Sequence, residues 1–128
     1  MNASASGESP DQARARLHAV RTETLARIEA LREEHERFVA ASVSSNADDE
    51  HDPEGATIAF EREQVSALVR AAEQALTDTD EALARLDSGG YGLCEGCARP
   101  IAAERLEARP GARTCIDCAR EAEARAAR

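Results

Sequence analysis

Four cysteines stand in two pairs, Cys94-x2-Cys97 and Cys115-x2-Cys118, with 17 residues between the pairs. Thiolates are soft donors, and two CxxC pairs joined by a loop suit a tetrahedral shell for one zinc ion. Four sulfurs close that shell. No position remains for water or substrate, so the expected role of the metal is structural. Its binding energy would fold a segment too short to fold alone. Arg99, Arg105, Arg113 and Arg120 lie near enough in sequence to offset the charge of four thiolates. A rubredoxin-like iron site would use the same ligands. Disulfides belong to oxidising compartments, and a thioredoxin-like redox pair needs a βαβ context that is absent here.

The second chemical concentration is acidic. Residues 45–57 hold Asp48, Asp49, Glu50, Asp52 and Glu54 around His51, with no arginine among them. Like charges so close repel, so the cluster does little for the fold and points to something it faces. An EF-hand reading of Glu50-x-Asp52-x-Glu54-Gly55-x5-Glu61 matches the loop spacing only in part. Glu stands at its first position and Pro53 lies inside it. Carboxylates beside a histidine are also an acid–base pattern, yet an exposed turn offers no pocket to tune them. No enzyme is expected.

The elements that must position these groups follow from periodicity. Ser9, Pro10 and Gln12 form a helix start with a capping box. Core-compatible residues then recur at Leu17, Val20, Thr24, Ile28, Leu31, His35 and Phe38. A second stripe runs through Val65, Leu68, Ala72, Leu76, Thr79, Leu83 and Leu86. The two stripes share length and spacing, and the short acidic turn between them requires antiparallel neighbours. Asp52-Pro53-Glu54 starts the second helix, and Gly89-Gly90 ends it. Thr114 and Asp117 predict a capping box for a last helix over about 115–127.

The expected fold is therefore all-α: a long antiparallel two-helix coiled-coil hairpin, then a small C-terminal four-cysteine zinc-finger module with a terminal helix. The expected division is a disordered tail at 1–8, the hairpin at 9–88 with its acidic tip at 45–57, and the zinc-finger module at 89–128.

Charge is distributed unevenly. Residues 1–90 carry 19 acids and 9 arginines, whereas residues 91–128 carry 6 acids and 7 arginines. Binding to naked nucleic acid requires basic surface that releases counterions, so sequence-specific DNA binding is not expected. A protein partner with basic surface fits better. The start lacks the basic and apolar regions of a signal peptide, and no stretch is apolar enough for a membrane span. The chain is expected to be cytoplasmic and monomeric.

Residues 91–118 resemble the zinc-finger pattern of the TraR/DksA family of bacterial transcription factors, YGxCxxCGxxIxxxRLxAxPxAxxCxxC. The matching residues are Tyr91, Gly92, Cys94, Cys97, Ile101, Arg105, Leu106, Ala108, Pro110, Ala112, Cys115 and Cys118. The one departure is Ala98, where the family usually has glycine. The resemblance implies a regulator that binds RNA polymerase rather than DNA. Its zinc globule would sit at the rim of the secondary channel. Its coiled coil would enter the channel and carry acidic tip residues toward the active site, altering initiation. Polymerase-facing residues would then be Asp48, Asp49, Glu50, Asp52, Glu54 and Ala56.

The family's tip pattern, DxxDxA, is met incompletely in either of two registers. Asp49 and Asp52 supply both acids but leave Glu54 at the alanine. Alternatively Glu54 and Ala56 supply the second acid and the alanine, leaving His51 first. Two basic positions of the family's pocket for guanosine tetraphosphate (ppGpp) hold Asp78 and Ala119 here, with Arg109 and Arg120 remaining as possible contacts. Little ppGpp dependence is expected. A zinc-stabilised coiled-coil adaptor with another protein partner would share the architecture.

Overall fold

A computed structural model describes residues 7–46 and 53–127. Four helices follow in order: α1 (Pro10–Asn46), α2 (Pro53–Ser88), α3 (Ala103–Ala108) and α4 (Ile116–Ala126). Among the described residues no strand forms, and a single isolated bridge pairs Leu93 with Pro100. The all-α expectation holds. Two compact units are present, residues 22–76 and residues 7–21 with 77–127.

Helix α1 starts where its capping box predicts. The Ser9 N–H donates to Gln12 Oε1 at 2.9 Å, and the Gln12 N–H donates to Ser9 Oγ at 3.1 Å. These reciprocal bonds satisfy two of the N–H groups that a helix start leaves open. Helix α2 closes in a Schellman motif: the Gly90 N–H reaches Arg85 O at 2.9 Å and the Gly89 N–H reaches Leu86 O at 3.3 Å. Gly89 takes φ +87°, a conformation that a residue with Cβ adopts at a cost.

In the 22–76 unit, Ile28, Leu31, Val65 and Ala72 are buried, with Phe38, Val69 and Leu76 packed against them. An Arg32–Glu73 ion pair joins α1 to α2 there. The α1 stripe is as expected. On α2, Val69 takes the core place expected of Leu68, which is 43% exposed. At ~100° per residue, positions 68 and 69 lie on opposite flanks of the seam and about equally far from its centre. Hydropathy therefore does not choose between them.

In the other unit, Ala13, Leu17, Thr79 and Ala82 are buried. Arg14 pairs with Asp87 at 2.6 Å and Arg21 with Asp80 at 2.7 Å. These pairs run antiparallel between α1 and α2 and share one register, as flanking charges do in coiled coils. The C-terminal part of this unit has its own small core of Cys94, Ile101 and Leu106, with Tyr91, Ala112, Cys115 and Cys118 against it.

Candidate metal centre

The first CxxC pair lies on a tight turn built by backbone hydrogen bonds. The Cys94 N–H donates to Arg99 O, and the Ala98 N–H donates back to Cys94 O, both at 2.8 Å. Closing this turn forces Ala98 to φ +64°, the only described non-glycine residue with a positive φ. That is the position at which the family pattern calls for glycine, and the backbone supplies the reason. Gly96 sits in a tight place. A Cβ there would lie 3.1 Å from Cys118 Sγ and 3.6 Å from Cys94 Sγ.

The second pair opens α4 differently from the expected capping box. Cys115, not Thr114, is the N-cap, with φ −70° and ψ 166°, and its sulfur accepts the Cys118 N–H at 3.5 Å. A sulfur in that position serves as cap and metal ligand together, leaving Thr114 outside the helix. Cys115 therefore stands at the helix start and Cys118 one turn in.

The four sulfurs lie within 4.8 Å of one another, and Cys97 Sγ is 3.8 Å from Cys115 Sγ. A tetrahedral site with Zn–S near ~2.3 Å requires S···S separations of about 3.8 Å. All four cysteines are free thiols, with Cys94 buried and Cys97 exposed. Geometry and donor set fit one structural zinc ion held by Cys94, Cys97, Cys115 and Cys118. Hydrogen bonding from the Cys115 backbone, aided by Cys97 and Gly96, outweighs burial and pulls the Cys94 thiol down to about 6. Cys118, hydrogen-bonded with Cys115 and Cys94, is pushed up to about 12.

Two of the four nearby arginines have other partners. Arg105 Nε donates to Thr114 O at 2.8 Å, which braces the loop before Cys115. Arg113 pairs with Glu81 at 2.7 Å and lies 3.6 Å from Glu95. Backbone N–H groups, including that of Gly96 at 3.3 Å from Cys94 Sγ, face the sulfurs instead. Close backbone packing joins this module to α2, because a Cβ on Gly111 would meet Asp78 Cβ at 2.5 Å. Arg85 donates to Gly111 O at 3.4 Å and Ala112 O at 3.5 Å. Burial, then the charge of Arg113, lowers the pKa of Arg85.

Residues 89–124 match the prokaryotic dksA/traR C4-type zinc finger. Among curated relatives, the RNA polymerase-binding transcription factor DksA of Haemophilus influenzae is 49% identical over 43 residues, 34% of this chain and 30% of that protein. An uncharacterized protein, YteA of Bacillus subtilis, is 39% identical over 72 residues, 56% of this chain and 30% of that protein. The structure of transcription factor DksA2 from Pseudomonas aeruginosa aligns with TM-score 0.73 and 29% identity, covering 93% of this chain and 86% of that one. The chain carries a dksA/traR-type C4 zinc finger on a fold similar to that of DksA2. Its matched segments nevertheless span about a third of the curated relatives' length.

Other residues implied by the DksA-like resemblance are not gathered at this centre. Asp48, Asp49, Glu50 and Asp52 lie outside the described residues. Glu54 belongs to the first turn of α2 by its backbone, its side chain lying outside the described set, and Ala56 is exposed on the same helix. Arg109 is the C-cap of α3, its N–H bonded to Arg105 O at 2.7 Å, and Arg120 lies on α4; both are exposed. Sequence reasoning missed the triad of Glu8, Arg16 and Tyr91. Its Arg16–Tyr91 contact joins residues 75 apart, beyond the reach of any local pattern. Among the described residues no helix is long and apolar enough to cross a membrane.

Proposed function

We propose that this chain is a bacterial transcription regulator that binds RNA polymerase directly through the secondary channel. Its acidic tip, residues 45–57, would act on initiation near the catalytic centre. The observation that carries this reading is the joint occurrence of a dksA/traR zinc finger with a DksA2-like fold over 93% of the chain. Relatives matched through the finger are named RNA polymerase-binding transcription factors. On this reading the chain is a cytoplasmic monomer without enzymatic activity or sequence-specific DNA binding. The closed four-sulfur shell supports a structural rather than catalytic metal. The net charge of −9 favours a basic protein partner over a nucleic acid.

Asp48, Asp49, Glu50, Asp52, Glu54 and Ala56 are the proposed polymerase-facing tip. We propose little dependence on ppGpp. Asp78 brings a carboxylate where a phosphate ligand needs a cation, and the close approach of Gly111 to Asp78 leaves little room beside it. Arg109 and Arg120 remain the candidates for any residual nucleotide contact. The division of the chain at Gly89–Gly90 is likewise proposed as the functional boundary between hairpin and finger.

Capture of core RNA polymerase by the parent chain, with a combined Asp49→Asn, Asp52→Asn and Glu54→Gln variant beside it, tests this function. Affinity should stay within about tenfold, ~1.4 kcal/mol, because the coil and finger carry most of the contact. The effect on initiation should be mostly lost. Asp52→Asn retains a capping side chain, so α2 should survive. No capture by the parent would favour an adaptor with another partner. Unaltered regulation by the variant would reduce the acidic turn to a solvated connection.

A further inference from the structure

We propose that Glu8, Arg16 and Tyr91 form a latch through which the segment preceding α1 governs how firmly the zinc-finger module keeps its metal. Arg16 projects from the early part of α1 and makes three bonds. Its Nε donates to Glu8 Oε2 at 2.9 Å, and its second terminal nitrogen donates to Glu8 Oε1 at 3.1 Å and to the Tyr91 hydroxyl at 2.6 Å. The guanidinium is thus held as a fork across one carboxylate and one phenol.

Shielding distinguishes this arrangement from the other ion pairs of the same unit. The side chains of Arg16 and Glu8 are 24% and 20% exposed, against 38% and 70% for Arg14 and Asp87. A bidentate, partly desolvated guanidinium–carboxylate pair holds its geometry better than a solvated one. Glu8 first, with Tyr91 assisting, raises the pKa of Arg16 against the opposing effect of burial, so the fork stays charged.

Tyr91 carries the connection to the metal. Its ring packs against the small core of Cys94, Ile101 and Leu106, while its hydroxyl belongs to the fork. The next residue, Gly92, accepts the Ile101 N–H at 2.8 Å and so ties together the two ends of the first cysteine turn. Cys94 follows two residues later. A cavity of about 140 Å³ lies beside the latch, lined by Glu8, Arg16, Ala103, Leu106 and Glu107. Leu106 thus borders open space, and it shares the small core with Tyr91 and Cys94, so loosening of the Tyr91 hydroxyl is felt at the Cys94 turn. Glu8, ahead of α1, is in this way fastened to the finger, and its release weakens the grip on zinc.

The test uses the whole 128-residue chain loaded with zinc and the rate at which excess chromogenic chelator removes the metal. Parent, Glu8→Gln, Tyr91→Phe and the double variant are compared, with far-ultraviolet circular dichroism verifying unchanged helicity. Each single variant should release zinc about tenfold faster, the counterpart of the ~1.4 kcal/mol of a charge-assisted hydrogen bond. The double variant should be no faster than about twofold beyond the quicker single one, because both act through Arg16. Arg14→Gln, which removes an exposed ion pair of the same unit, should leave the rate unchanged. An unchanged rate in either single variant, or effects that multiply in the double variant, overturns the latch.

Discussion

Ala98 holds a left-handed backbone that costs a residue with a Cβ roughly 1–2 kcal/mol relative to glycine. Ala98→Gly relieves that strain but gives the unfolded chain more freedom, an offset of ~0.4–1 kcal/mol. The net expectation is a gain of about 0.5–1 kcal/mol in the finger. Thermal melting of the zinc-loaded protein checks it, and a lower melting temperature would contradict it. Gly96→Ala should act in the opposite direction, because its Cβ would crowd Cys118 Sγ. The cysteines themselves were legible from spacing alone, since a CxxC pair is local and its chemistry narrow. The departure at Ala98 was legible as a residue but not as a conformation. Its φ is set by the bonds between Cys94 and the chain at Ala98 and Arg99, which no residue type announces. Arg16 was invisible for a plainer reason, as its phenol partner lies 75 positions away.

At the scale of elements, the α1–α2 seam carries the 22–76 unit, and its two flanks make opposite predictions. Leu31 is buried in the core, so Leu31→Asp places an unpaired carboxylate in a thin interface and should cost ~3 kcal/mol or more. Leu68 is 43% exposed, so Leu68→Asp should fall within about 0.5–1 kcal/mol of the parent. Chemical denaturation of the two variants compares them directly, and equal losses would return Leu68 to the core. Helix existence and the antiparallel pairing were readable because two stripes of matching period must face one another. The choice between Leu68 and Val69 was not, since both sit on flanks of one seam and packing decides. The capping-box pattern places the start of α4 one residue early because sulfur, too, can cap a helix. Cys115 takes that place, its sulfur accepting the Cys118 N–H.

For the whole molecule, zinc supplies folding energy to a module whose apolar core is only Cys94, Ile101 and Leu106 with its partly buried neighbours. The seam cluster of Ile28, Leu31, Val65 and Ala72 contains no metal ligand. Removing zinc, or replacing any of the four cysteines with serine, should therefore unfold the chain beyond about Tyr91 while residues 22–76 keep much of their helicity. Hydrogen exchange resolved by segment would show this, and uniform loss of protection across α1 and α2 would contradict it. Fold and metal centre thus followed from periodicity and spacing, whereas the function of the acidic turn depends on what it meets.

That question has a direct measurement. A photo-reactive residue placed at Ala56, beside the acidic stretch, is cross-linked in a complex with core RNA polymerase and the attachment mapped. Cross-links are expected to polymerase residues lining the secondary channel near the catalytic metal. Cross-links confined to the outer surface of the enzyme, with the parent chain bound, would contradict the proposed function.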